Sequence, residues 1–264
     1  MNAELLLMFT LSCDRAYLFA HAERKLSSEE SSRYESVLAE RSRGVPAQYI
    51  TGHQEFWGMD LIVSPAVLIP RPETEHVVET VLGLGGAELR EPGKGEQFRI
   101  VDVGTGSGCI ALALAKELSQ AEIHATDISP SALEIARANA ARLQLEQRVH
   151  FHETDLLKGL NGEFDVVVSN PPYVGESERD SVQLEVRKFE PQTAVFAGPN
   201  GTEVIERLIP AAGAILRPGG WLVLEISGTI VESVRSLMKA WEEVDATPDL
   251  QSIPRVVRAR KPRP

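Results

Sequence analysis

Arg99-Ile100-Val101-Asp102-Val103-Gly104-Thr105-Gly106-Ser107-Gly108 is an apolar run that turns on three alternate glycines into an Ala- and Leu-rich segment, residues 109–118. The run reads as a buried strand and the segment after it as a helix. Glycines let the backbone turn sharply and let a ligand come close. The helix behind them starts with unpaired N–H groups. A dinucleotide fold asks for Gly-x-Gly-x-x-Gly. Counted from Gly104, its third glycine falls at position 109, which is Cys109. The order Gly104, Gly106, Gly108 suits a nucleoside cofactor without a pyrophosphate, such as S-adenosyl-L-methionine, with Thr105 and Ser107 on the same turn.

Outward from this turn, strands at 98–103, 123–127, 149–152, 164–169 and 221–226 are predicted. Helices at 109–118, 131–143 and near 202–216 separate several of them. Such alternation implies α/β architecture, a parallel sheet with helices on both faces. Asp127 ends the second strand, where an acidic side chain accepts both hydroxyls of a ribose. The ribose role is shared with NAD enzymes, and capping the next helix is the plainer reading; Ser129 or Ser131 can do that instead. Asp102 orients the loop or the amino-acid part of the cofactor, or is purely structural. Asp155 and Leu156 come after the third strand, placed to read the edge and pack on the ring of an adenine.

The fourth strand runs into Asn170-Pro171-Pro172-Tyr173. Asn170 offers an amide oxygen as acceptor for a substrate N–H. Pro171 and Pro172 fix two φ angles, lack N–H groups and so expose carbonyls as further acceptors. Tyr173 supplies a ring face and a polar tip. The four residues suit a flat, weakly nucleophilic nitrogen that must be held still; the plain alternative is a rigid turn after a strand. Asn170 is counted with the cofactor-binding candidates as well.

Residues 3–42 read as short helices, one of them starting at Ser27 with Glu30 in the capping-box position. Residues 54–57 and 59–63 flank Gly58 as a β-hairpin. The expected division is a helical substrate-docking domain at 1–50, a hairpin connector at 51–70 and a catalytic domain at 71–264. Residues 85–97, rich in Gly, Glu and Pro, read as an exposed loop. Arg255, Arg258, Arg260, Lys261 and Arg263 read as a solvated basic tail. The 264 residues carry a net charge of −11, which disfavours unspecific adhesion to nucleic acid or anionic membrane. Cys13 and Cys109 form no disulfide framework, and no metal-ligand spacing or hydrolase motif is present. The start has no basic n-region, and the apolar run at 5–9 is too short to span a bilayer. The cytoplasm is the default compartment.

These residues resemble the peptide chain release factor glutamine methyltransferases, the PrmC/HemK family. Pro46-Ala47-Gln48-Tyr49-Ile50-Thr51-Gly52 and Glu55-Phe56-Trp57-Gly58 look like its connector. Leu68-Ile69-Pro70-Arg71-Pro72-Glu73-Thr74-Glu75 is its most distinctive segment. Arg187, Phe189, Glu190 and Pro191 resemble the segment beyond its catalytic tetrapeptide, and residues 254–257 its last strand. The likeness covers nearly the whole chain, beginning inside the helical domain. Leu156 stands where some members have tryptophan, and Glu225-Ile226-Ser227 replaces a glycine-containing strand end. The resemblance implies a Rossmann-like, seven-stranded class I methyltransferase fold behind a small helical domain. It implies methyl transfer from S-adenosyl-L-methionine, leaving S-adenosyl-L-homocysteine, to the glutamine of a Gly-Gly-Gln tip in a class I release factor. Asn170, Pro171, Pro172 and Tyr173 would be catalytic, and with Arg71 would contact the substrate. Arg71 and Glu73 border the substrate entrance or hold the two domains together. A monomer without direct nucleic-acid binding is expected. An N-methyltransferase of adenine or guanine, a methyltransferase of ribosomal-protein glutamine and a non-catalytic cofactor-binding adaptor are the alternatives.

Overall fold

In the computed structural model the described residues are 2–84, 98–249 and 251–263. The expected loop at 85–97 lies outside them. Four helices open the chain: α1 (Asn2–Leu11), α2 (Arg15–Ala20), α3 (Ser28–Ser42) and α4 (Ala47–Thr51). The start of α3 is the capping box that its sequence spells. Ser27 Oγ accepts from Glu30 N at 3.1 Å, and Glu30 Oε2 accepts from Ser27 N at 2.9 Å.

The hairpin comes next as β1 (His53–Phe56) and β2 (Met59–Ile62). Its two turn residues, Trp57 and Gly58, have φ of 54° and 64°, the sense that matches the twist of flanking strands. Trp57 N donates to Glu75, and its indole donates to Glu117. The far strand is held by Asn139, which is fully buried. Its Oδ1 accepts from Ile62 N at 2.7 Å, and its Nδ2 donates to Ile62 O at 3.0 Å and Ser107 O at 2.9 Å. A buried carboxamide so engaged satisfies the rule that interior polar groups find partners. It also ties the hairpin to the glycine turn.

A 3₁₀ turn at Pro72–Thr74 leads into α5 (Glu75–Gly83). The central sheet then forms from β3 (Arg99–Val103), β4 (Glu122–Asp127), β5 (Val149–Glu153), β6 (Phe164–Ser169), β9 (Leu216–Glu225), β10 (Glu242–Pro248) and β11 (Pro254–Arg260). Between them come α6 (Cys109–Glu117), α7 (Pro130–Arg142), α8 (Leu184–Phe189), α9 (Gln192–Val195), α10 (Glu203–Ile215) and α11 (Val231–Leu237). A small parallel pair, β7 (Val174–Gly175) and β8 (Phe196–Gly198), stands apart. The seven strands lie in the order β10-β11-β9-β6-β3-β4-β5, and β11 runs against both its neighbours.

Alternation along β3 feeds two cores. Ile100 packs with α5 and α6 on one face, while Val101 and Val103 pack with α10 and α11 on the other. Each fully buried Leu, Ile or Phe contributes roughly 2 kcal/mol. From β3 the chain moves outward through β4 to β5, then returns to β6 on the other side. The connections leave in opposite directions, so a crevice opens above the ends of β3 and β6. The glycine turn and Asn170 both sit at that switch point.

The basic C-terminal run is not a solvated tail. It is β11, an internal strand with Val256, Val257 and Ala259 in the core. Its arginines pair with the neighbouring segment: Arg255 with Asp249, Arg258 with Asp245 and Arg260 with Glu243.

Candidate active site

The crevice holds a cavity of about 370 Å³. Of the residues singled out from the sequence, Arg71, Gly104, Thr105, Gly106, Ser107, Asp127, Asp155, Leu156, Asn170, Pro171 and Pro172 line it. Gly108 lies behind it. Tyr173 is in the wall of a second cavity of about 580 Å³, and Arg71 is common to both.

The glycine turn divides its labour. All three glycines have positive φ, between 56° and 85°. A Cβ on Gly104 or Gly106 would meet nothing within 4 Å, so both face open space. A Cβ on Gly108 would meet Leu112 at 3.1 Å and Ala136 at 3.3 Å, so this glycine lets α6 and α7 close together. Asp102 is the organiser of the turn. Its Oδ2 accepts from Thr105 Oγ1 at 2.6 Å and Ala111 N at 3.2 Å. Its Oδ1 is buried without a partner among the described residues.

Burial pushes the Asp102 carboxyl up to about 7, against the pull of Thr105 and Ala111. In the unfolded chain it titrates near 4. Between those two values the folded state holds a proton that the unfolded state lacks. The stabilisation is full below about pH 4 and is lost as pH rises through about 7. Asp102→Asn cannot ionise, so its stability relative to the unsubstituted chain is expected to rise between pH 5 and 8. Urea unfolding of both proteins across that range checks it; parallel curves would refute the assignment.

Asp127 holds the other side of the turn. Its Oδ2 accepts from Gly106 N and its Oδ1 from Ser129 N, each at 2.9 Å. Capping α7 falls to Ser129, whose Oγ accepts from Ala132 N at 3.2 Å. The Asp127 oxygens thus keep one lone pair each for a ligand. Ile128, 65% exposed, lines the cavity beside it. Ile128 belongs to none of the motifs, and its one signal in the sequence is a bulky apolar residue directly after a strand-end acid. Leu156 reaches the cavity from a left-handed backbone, φ 54°, rare for such a side chain. The Asp155 carboxylate is at the rim and is paired with Arg207 of α10.

At the β6 end, Asn170 Nδ2 donates to Thr74 Oγ1 at 3.1 Å. Its Oδ1 and the Pro171 carbonyl accept no bond from the described residues. Two unused acceptors therefore stand next to the glycine turn. The half-buried Tyr173 ring packs beside the second core and lines the second cavity, and its Oη donates to Glu225 Oε1 at 3.1 Å. Burial and the adjacent carboxyl raise the Tyr173 phenol above its usual range, so it stays a proton donor. The Arg71 guanidinium is engaged by Glu190, whose other oxygen accepts from Ile69 N at 3.1 Å. This ties residues 69–71 to the segment after the tetrapeptide, and Arg71 at the same time lines both cavities. Arg207 lies in no motif; Thr74, Glu190 and Glu225 lie in segments quoted for the family likeness, and their contacts bring out what each one holds.

Two family models match the chain: the PrmC N-terminal domain over residues 1–52 and the methyltransferase small domain over residues 88–188. A release factor glutamine methyltransferase of Koribacter versatilis is 54% identical over 99% of this chain and 91% of its own length. That of Moorella thermoacetica is 43% identical over 91% of this chain and 82% of its own. Among solved structures, a methyltransferase from Pyrococcus furiosus superposes with a TM-score of 0.56 at 20% identity. It covers 88% of this chain and 99% of that one, which supports the class I methyltransferase fold. Measured against these relatives, the chain belongs to the release factor glutamine methyltransferase family.

Proposed function

We propose that this chain methylates the side-chain amide nitrogen of the glutamine in the Gly-Gly-Gln tip of class I release factors, using S-adenosyl-L-methionine. The residues fit that cofactor. Gly104 and Gly106 leave room where a side chain would stand, Asp127 retains acceptor capacity, and Ile128 and Leu156 offer apolar surface for a base. When bound, S-adenosyl-L-methionine supplies a methyl group already activated by its sulfonium sulfur.

The remaining work belongs to the protein. An amide nitrogen is a poor nucleophile because its lone pair is shared with the carbonyl. The observation that carries this reading is the pair of unused acceptors, Asn170 Oδ1 and the Pro171 carbonyl, beside the glycine turn. Each takes one of the two amide hydrogens, which orients the nitrogen and favours a pyramidal geometry with its lone pair freed. On taking up the methyl group that the bound cofactor would release, the nitrogen would become positively charged. One amide proton then leaves to water, so no carboxylate base is needed. Alignment and electrostatic preorganisation do the catalysis. The second cavity shares Arg71 with the first, and in this reading the tip enters by way of it. Among the described residues no helix is long and apolar enough to cross a membrane, and this reading sets the chain in the cytoplasm, as a monomer.

Incubation with methyl-labelled cofactor and either purified release factor or total RNA and DNA tests the reading. Label in the Gly-Gly-Gln peptide is the expected result. Label in nucleic acid alone would replace it with base methylation.

A further inference from the structure

Burying a carboxylate is costly unless its oxygens find partners. Glu190 is 4% exposed and meets that condition: Oε2 accepts from Ile69 N at 3.1 Å, and Oε1 accepts from Arg71 Nη2. The bond to Ile69 N fixes the carboxylate to the backbone just before the arginine. Pro70 and Pro72 flank Arg71 and stiffen that backbone, which is extended there, with φ −101° and ψ 145°. The arginine side chain is long, turns about several bonds and loses much entropy when held. Glu190 is the partner that holds it. A guanidinium presents its N–H donors on several edges of a planar fork. Beyond the bond to Glu190, the Arg71 side chain donates to none of the described residues. Its spare donors stand at the residue that the two cavities have in common.

We propose that Glu190 is a positioning residue that aims Arg71 at the protein substrate. Its carboxylate holds one edge of the guanidinium, and the N–H groups left over take backbone carbonyl oxygens of the Gly-Gly-Gln tip as it passes from the second cavity to the first. Glycines suit that contact, because no side chain keeps a partner away from their backbone. Arg71 brings the donors to the neck between the cavities, and Glu190 balances its charge and keeps its fork in one orientation. Glu190 acts through Arg71 and takes no part in the chemistry at Asn170. The inference rests on the function proposed above, since it names the part of that substrate which Arg71 binds.

Glu190→Gln keeps the shape but has a single oxygen for both donors, so its NH₂ group must face either Ile69 N or Arg71. The expected result is a KM for the release factor higher by at least about tenfold, with kcat and the Kd for S-adenosyl-L-homocysteine changed by less than about twofold. Arg71→Ala should raise KM at least as much, and Arg71→Lys, which keeps the charge without the fork, should recover little of that loss. The double variant separates aiming from mere support of the backbone. If Glu190 works through Arg71, adding Glu190→Gln to Arg71→Ala leaves KM within about twofold of the value that Arg71→Ala alone gives. Two losses that multiply overturn the proposal, as does an unchanged KM in either single variant, or a loss confined to kcat. If Glu190→Gln does not fold, the same cycle with Glu190→Asp, which draws the carboxylate back by one methylene, decides by the same outcomes. Transfer by the unsubstituted chain is measured alongside. No label in the release factor at all would sink the proposed function itself, a result distinct from variants that transfer with the KM of the unsubstituted chain.

Discussion

Replacing Asn170 with alanine is expected to lower kcat by on the order of 10²-fold or more while leaving cofactor binding nearly unchanged. The asymmetry comes from how the site is built. The turn that would hold the cofactor is fixed by Asp102 and Asp127 and has no hydrogen bond to Asn170. The substrate amide, in contrast, meets Asn170 Oδ1 as one of only two acceptors proposed for it. Without that acceptor one amide hydrogen has no partner, and the nitrogen is no longer aimed. Single-turnover label transfer gives the rate, and calorimetry with S-adenosyl-L-homocysteine gives the affinity. Near-normal turnover with intact binding would remove Asn170 from the mechanism.

Asp127→Ala should act in the opposite sense, weakening cofactor affinity by about 10²-fold, in line with losing more than one hydrogen bond to a charged group. Two losses add. The ribose loses an acceptor, and Gly106 N and Ser129 N both lose the oxygens that now fix them. Asp127→Asn is a sharper probe. Both carboxylate oxygens accept from backbone N–H groups, so an amide can satisfy one and must oppose the other. It should therefore lose most of the affinity that alanine loses. An unchanged calorimetric dissociation constant in either variant would take Asp127 out of the ribose site.

Much of the architecture is legible in the chain because local chemistry and burial agree. The capping box at Ser27, the turn at Trp57-Gly58 and the buried runs of β3, β4 and β6 each carry their own signature in adjacent residues. The last two strands do not. β10 lies at the sheet edge and reads Glu242-Glu243-Val244-Asp245, charged as exposed edges often are. Without β10 in view, the arginines of β11 have no partners and read as solvated. The pairs of Arg258 with Asp245 and of Arg260 with Glu243 connect positions that only strand pairing brings together. The site divides the same way. Gly104, Asp127 and Asn170 sit in contiguous motifs, and the cavity gathers them. Adjacency alone puts Tyr173 with Asn170, yet after two prolines its ring packs beside the second core and its Oη turns to Glu225.

The threefold bonding of Asn139 bears on where this protein can be cut. One side chain clasps Ile62 in the hairpin and Ser107 in the turn, so the two share a single fastener. A fragment starting at residue 71, the boundary that motif spacing suggests, would leave that amide half empty beneath the loop it steadies. Any minimal version of the enzyme must therefore carry the hairpin along, even if every helix before it is discarded.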